Sequence, residues 1–302
     1  MSSSRDVIII GGGIVGLSTA FKLAKDGARV TLLEKHQCGS GATGAAIGAL
    51  WLPSPLRHNS VNSLLRLSLS EFQNFATEIE KISEIPIQYR RCGGLELISS
   101  IDGVRSAQNK AVASGTLQTP SGHAPYLELL KSDVVSAMEP NIFLPSHGAL
   151  CCRLTAAVSV EQLISSLKEG CIKLGVEIKE GSKATEIIIE NDLVFGAKSN
   201  GVKIHAPNVL IAGGAWSPQI AKETEVFSSV VPEKGQAILF ETPRALITHI
   251  VRKKPLYLVP WGENQVAVGT TTEKNSGFDT KTTQVAVDGL IAGAVEIVPE
   301  LA

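Results

Sequence analysis

A chain of 302 residues, 44% of them hydrophobic, has room for one large domain or two intertwined ones at roughly 150 residues per domain. Its 28 basic and 29 acidic side chains leave a formal charge of -1, which argues against disorder and against nucleic-acid binding through bulk positive charge. Five cysteines without a C-x-x-C pair make a poor disulfide framework and suit a reducing, cytoplasmic setting. No run reaches the ~18 apolar residues of a membrane span.

In chain order, Asp6-Val-Ile-Ile-Ile10 is a β-branched run suited to a buried parallel strand, and it stops at three glycines. Ile14, Leu17, Ala20, Phe21 and Ala24 then recur at helical spacing, Gly27 stands where a helix would end, and Arg29 to Glu34 follows as a second buried strand. This is a βαβ unit. From His36 to Pro55 the residues are mostly small, too rich in glycine for a helix and too poor in charge for a surface loop, so the segment is expected to lie against something buried. Val61, Leu64, Leu65, Phe72, Phe75, Ile79 and Ile82 mark one face of a long amphipathic helix ended by Pro86. Short strands are predicted at Gln88 to Arg91 and Gly94 to Ser99, and a helix from Ser159 to Gly175.

Strands at Val176 to Lys179, Ala184 to Glu190, Leu193 to Lys198 and Val202 to His205 follow, the last three joined by the hairpin signals Asn191-Asp192 and Asn200-Gly201. Asn208 to Trp216 returns the chain to the buried sheet. Further strands are predicted at Gln236 to Glu241, Leu256 to Pro260 and Gln265 to Gly269, and a last helix near Thr283 to Val298.

The sequence Gly11-x-Gly13-x-x-Gly16 follows a strand and opens a helix, and Glu34 closes the next strand. Gly11 allows a tight turn, Gly13 lets the backbone approach a pyrophosphate, Gly16 lets helix and strand pack closely, and Glu34 can bind ribose hydroxyls. An acid at this position favours a dinucleotide with a free 2′-hydroxyl, FAD or NAD, over NADP.

Four ordered stretches then resemble the FAD-dependent D-amino-acid oxidase superfamily, nearest its glycine and sarcosine oxidase branch. They are Gly41 to Leu50 with Pro53, Gly93-Gly-Leu95, Val209 to Ser217, and Tyr257-Leu-Val-Pro260 ahead of Val268-Gly-Thr270. The resemblance implies an α/β fold in which a Rossmann-like FAD-binding domain, residues 1–85 and 150–225, is interleaved with an α+β antiparallel-sheet substrate domain, residues 86–149 and 226–302. It implies FAD as cofactor, held by Gly11, Gly13, Ile14 and Gly16. Glu34 and Lys35 would flank the ribose, and Ala42, Thr43, Ala45, Ala46 and Gly48 would line the pyrophosphate and flavin. Ala184 would lie near the adenine, and Ala212, Gly213 and Gly214 would pass beside the cofactor.

The implied reaction moves a hydride from the carbon next to nitrogen of a small amine or amino acid to the flavin, with oxygen reoxidising it and releasing peroxide. Tyr257 is the implied substrate-orienting residue. Trp51 reads as core packing or a pocket wall, and Arg252-Lys-Lys254 and Arg90-Arg91 as anion-steering or solvated runs. His36, His58, His123, His147, His205 and His249 show no metal-ligand spacing, so no metal is expected. Oxidation of 2-hydroxy acids, a quinone acceptor, or a non-catalytic flavin-binding subunit remain as alternatives, as do a homo-oligomer and a complementing chain. The family pattern also expects a W-x-G-x-R-P stretch and a later G-H-x-x-x-G stretch beyond Val298-Pro-Glu-Leu-Ala302. Neither occurs in the 302 residues, so a chain lacking that C-terminal segment is expected, whether fragment, split enzyme or decayed homologue.

Overall fold

In a computed structural model, which describes residues 5–51, 60–115, 126–143, 145–222, 224 and 229–302, the run Val7–Ile10 forms a strand buried along its length. Pro53, His58 and His123 lie outside the described residues, as does the expected domain cut at 225/226. The chain divides into two compact units, Met1–Ala46, Phe75–Gln88 and Val160–Pro232 in the first, and Ile47–Asn74, Tyr89–Ser159 and Glu233–Ala302 in the second. Residues 47–74 and 150–159 thus count with the second unit, where strand Ala156–Val158 pairs with Ala49–Leu50 on one side and Tyr89–Arg90 on the other.

The first unit is built on a four-stranded parallel sheet in the order Val209–Ile211, Val7–Ile10, Val30–Leu33, Glu177–Lys179. Helix Ile14–Lys25 buries Gly16, Leu17, Ala20, Phe21 and Ala24, and the chain leaves it through Gly27 at φ +92°, a conformation that favours glycine. Helix Val160–Lys173 packs on it so closely that a Cβ at Gly170 would come within 2.9 Å of the Phe21 ring. The opposite face of the sheet carries Ile8, Ile10 and Leu33 against Ile187, Ala197, Ile204 and Ala206. The last set comes from the antiparallel meander Ala184–Glu190, Leu193–Ser199 and Val202–His205. Its turns hold Asn191, Asp192, Asn200 and Gly201 at positive φ, as two-residue hairpins of this kind require.

Helix Ser60–Ser83 runs from the second unit's part of the chain into the first's. Its buried stripe is Leu69, Ala76, Ile79 and Ser83. Leu64 and Leu65, expected on that face, stand 65% and 42% exposed, because the inward stripe begins only at Leu69.

The second unit holds a seven-stranded sheet in the order Ala237–Glu241, Gln265–Gly269, Leu256–Trp261, Ile250–Lys253, Gly94–Leu97, Ala149–Cys152, Leu127–Leu130. Only the Ile250–Lys253 and Gly94–Leu97 pair is parallel. Helix Gln284–Ile297 covers one face through Leu290, Ala294 and Ile297, packed on Leu95, Val251, Leu258, Val266 and Val268. The other face centres on Ala157, Ile250, Val259 and Ala267, with Ile47, Ala49, Trp51, Tyr257 and Trp261 around them. Helices Ile101–Gly115 and Ser132–Met138 and strands Leu127–Leu130, Ala149–Cys152, Ala156–Val158 and Ile250–Lys253 were not foreseen from the sequence.

Candidate nucleotide and substrate sites

Three strand ends meet in the first unit at the carboxyl edge of the parallel sheet. Gly11 leaves the first strand at φ +114° and donates its N–H to the Leu33 carbonyl at 2.8 Å, and Ala212 donates to Ile10 at 2.8 Å. A side chain at Gly11 would stand 2.3 Å from the Ala212 carbonyl oxygen, and one at Gly16 would stand 1.9 Å from the Gly11 oxygen. Both glycines are therefore fixed by backbone packing.

Gly13 occupies the N-cap of helix Ile14–Lys25 in an extended conformation, and no side chain on it caps the helix. The first turn also carries no acid. The helix start meets the Thr43 side chain, whose Oγ1 accepts the Ile14 N–H at 3.1 Å. A helix start of this kind presents backbone donors and a positive dipole end to an anion.

Glu34 closes the second strand and is 9% exposed. Its Oε2 accepts the Gly12 N–H at 2.7 Å and its Oε1 the His36 N–H at 2.9 Å, with no ion pair among the described residues. An ionised carboxylate offers about four acceptor sites, so roughly two remain for hydroxyl donors. Gly12, which motif reading treats as a free position, belongs to the site. A Cβ there would meet Cys38 Sγ at 2.8 Å and Glu34 Cβ at 3.0 Å.

The Lys35 ammonium sits 3.2 Å from the centre of the Trp216 ring, a cation–π contact that ties the second strand's end to the turn after Val209–Ile211. Burial lowers the Lys35 pKa, partly opposed by Glu34. Ser182 N–H donates to the Glu34 carbonyl at 2.7 Å, which brings Ala184, at the start of the meander, close in sequence to the same edge. Gly213 and Gly214 follow Ala212 on that turn. A Cβ on Gly213 would reach the Ile220 side chain at 2.7 Å, whereas Gly214, at φ +54°, faces open space.

The small-residue segment is a chain of turns. Residues 38–45 form consecutive turns, closed by Gly44 N–H to Gly39 at 2.8 Å, and Ala46 N–H returns to Thr43 at 3.2 Å. Ala42, Ala45 and Ala46 are exposed rather than lying against protein. The turns satisfy the backbone locally, and methyl side chains are too small to reach a core. Gly48, by contrast, is buried in the second unit's part of the chain at φ +74°, where a Cβ would stand 2.0 Å from the Val158 oxygen.

In the second unit Tyr257 lies half-buried on strand Leu256–Trp261, in register between Arg252 and Gly269. Burial raises the phenol pKa and the Arg252 charge pulls it back only partly, so the hydroxyl stays protonated at neutral pH. Arg90 and Arg91 are exposed. Among the described residues no group of three or more His, Cys, Asp or Glu side chains is placed to hold a metal ion, and no helix is long and apolar enough to cross a membrane.

The first unit's features together fit a dinucleotide such as FAD. The helix start carries no acid and holds only the Thr43 hydroxyl on its Ile14 N–H, the buried acid has acceptor sites to spare for a ribose, and the exposed alanine turns let a flat group approach the backbone.

Comparison with known proteins agrees in kind. The sequence profile of the family described as FAD dependent oxidoreductase (DAO) matches residues 6–302. A glycine oxidase of Pseudomonas aeruginosa is 28% identical over 99% of this chain and 79% of its own length. A bifunctional protein ThiO/ThiG of Nostoc sp. is 26% identical over 99% of this chain, which spans 44% of that relative's length. The crystal structure of glycine oxidase from Geobacillus kaustophilus superposes with a TM-score of 0.90 at 26% identity, covering 99% of this chain and 79% of that one.

Proposed function

Since the chain belongs to the FAD-dependent oxidoreductase family, we propose that it oxidises the carbon–nitrogen bond of a small amino acid or secondary amine, of the glycine, sarcosine or D-amino-acid kind, with oxygen as acceptor. One observation carries the cofactor half of this reading: a buried acid, Glu34, with acceptor sites to spare at the edge where helix Ile14–Lys25 begins with no acid in its first turn. The named activities of the glycine oxidases it resembles support the substrate half.

The chemistry FAD supplies when bound is two-electron acceptance, from the substrate carbon beside nitrogen and onward to oxygen, giving an imine and hydrogen peroxide. We assign the pyrophosphate to the backbone of Gly11, Gly13, Ile14 and Gly16, and the ribose hydroxyls to Glu34, with Lys35 beside them. Thr43, Ala42, Ala45, Ala46 and Gly48 are assigned to the pyrophosphate and flavin, Ala184 to the adenine side, and Ala212, Gly213 and Gly214 to the cofactor's flank. Tyr257 is assigned to substrate, as a protonated donor that orients it. The free state of all five cysteines supports a reducing, cytoplasmic setting.

The test is anaerobic addition of glycine, sarcosine or D-alanine to the FAD-loaded chain. Expected are loss of the oxidised flavin colour and its return on air with release of peroxide. Reduction by 2-hydroxy acids alone, or by none of these, overturns the substrate reading, and a chain that retains no flavin overturns the cofactor assignment.

A further inference from the structure

A groove of about 1050 Å³ runs in the first unit along strand Val202–His205, the outer strand of the meander. Glu34, Lys35 and Ala184 are not among the residues that line it, so it is separate from the edge assigned to the cofactor. Its apolar wall is Leu193, Phe195, Val202 and Ile204, of which Leu193 and Val202 stand 63% and 64% exposed. Single exposed apolar side chains are ordinary, but several gathered on one groove mark a contact surface. The volume is at the upper end of the roughly 300–1,000 Å³ typical of small-molecule sites.

The polar side of the groove is cationic. Arg5, Lys179, Lys203 and His205 line it, and among the described residues no Asp or Glu does. Arg5 and Lys179 share one acid outside the lining, Glu177, with Arg5 Nη2 at 2.9 Å from Oε2 and Lys179 Nζ at 2.8 Å from Oε1. A guanidinium has five N–H donors and an ammonium three, so both cations keep donors beyond those spent on Glu177. Lys203 stands opposite Lys198 in register, a like-charge pairing that disfavours the strand contact. Lys198 is relieved by Glu186 at 3.6 Å, whereas Lys203 pairs with no carboxylate among the described residues. Arg5, Lys179 and Lys203 thus answer to the single acid Glu177, which leaves an excess of positive charge beside an exposed apolar wall. An inorganic anion would leave that wall wet, and a neutral hydrocarbon would leave the charge unanswered.

We propose that this groove is a second binding site, for an amphipathic anion of the medium-chain carboxylate class. The head meets Lys203, Arg5 and Lys179, and the apolar body lies on Val202, Phe195 and Leu193. The site does not depend on which substrate is oxidised.

The test is calorimetric titration of the full chain, loaded with FAD, with octanoate below its micelle-forming concentration. Octanol serves as the uncharged control and acetate as the control without a chain. Saturable octanoate binding near one per chain is expected, with octanol and acetate each at least tenfold weaker and the flavin spectrum still that of bound cofactor. K203E should weaken octanoate about tenfold, since one exposed ion pair is lost and a repulsion of similar size replaces it, and should leave octanol within about threefold. V202S, at an exposed position, should weaken both ligands and keeps the comparison valid if K203E folds poorly. No saturable octanoate binding, octanoate affinity within about threefold of the parent in both variants, or release of FAD as octanoate binds overturns the proposal. Co-sedimentation with vesicles of phosphatidylcholine and phosphatidylglycerol, without saturable octanoate binding, also overturns it and assigns the face to a lipid surface.

Discussion

Replacing Glu34 by Gln keeps the shape of the side chain and removes its charge and one of its acceptor oxygens. In the native chain two backbone donors, Gly12 at 2.7 Å and His36 at 2.9 Å, each take a different carboxylate oxygen. An amide satisfies one of them with its oxygen and turns its NH2 toward the other, so one buried N–H is left facing a donor. A lost hydrogen bond to a charged group is worth about 1.5–3 kcal/mol, which is the expected fall in stability of the FAD-free chain, read by urea unfolding. Binding of FAD suffers separately, because the spare acceptor sites assigned to the ribose become fewer and neutral. The affinity, read by quenching of flavin fluorescence on titration, should drop roughly 10- to 100-fold. An E34Q chain that unfolds at a lower urea concentration but binds FAD within about threefold of the parent would show that Glu34 only braces the glycine loop, and the ribose assignment would fall.

Gly16→Ala should abolish flavin retention on desalting and lower stability by about 2–4 kcal/mol, since its Cβ would stand 1.9 Å from the Gly11 oxygen and neither backbone can yield; unchanged thermal unfolding would contradict this. Glu139, 1% exposed, accepts from Thr248 N–H and Oγ1 at 2.8 and 2.6 Å and from His249 N–H at 2.6 Å, with His249 Nδ1 at 2.7 Å. Burial pushes its carboxyl up, but the bonds from His249 and Thr248 pull it further down, to a net value below the ordinary 4.5. The stability it contributes is therefore full above that value and lost as pH falls through the lower folded one, and E139Q should flatten the pH dependence of unfolding in that acid window. Burial, helped at Cys38 by Glu180, pushes the Cys38 and Cys171 thiols up to about 12. Both should resist iodoacetamide at pH 8 in the native chain and react on denaturation, with mass spectrometry as the readout.

The first unit was legible because each of its steps has a local chemical signature. The β-branched run at Val7, the glycines after it, and the Asn191-Asp192 and Asn200-Gly201 turns act over a few residues, and each turn residue adopts the positive φ its type permits. Much of the second unit was not legible, because its large sheet is held by distant pairings. Ile250–Lys253 earns its place by lying parallel to Gly94–Leu97, and Ala149–Cys152 by pairing with both Gly94–Leu97 and Leu127–Leu130. Nothing within those short runs announces such partners. Helix Ile101–Gly115 hides for a related reason, since among its described side chains it buries Ala107 and only part of Val104 and Ala111 against the core.

The two places where sequence reading and structure part company at the candidate sites have one physical origin. Small residues from Gly41 to Ala46 were expected to lie against something buried, and in the structure Gly41, Ala42, Gly44, Ala45 and Ala46 stand exposed on turns. Arg252 belonged to a basic run read as either anion-steering or solvated, and its Cζ lies 5.6 Å from the centre of the Trp51 ring. A run of small side chains records how closely something may approach the backbone, and an unpaired cation records that an acceptor is wanted. Neither pattern states whether the complement is protein. Register and packing bear on that: Lys253 and Lys254 find acids within the chain, the alanine turns stay exposed, and Arg252 lies beside the Trp51 ring and across the strand from Tyr257.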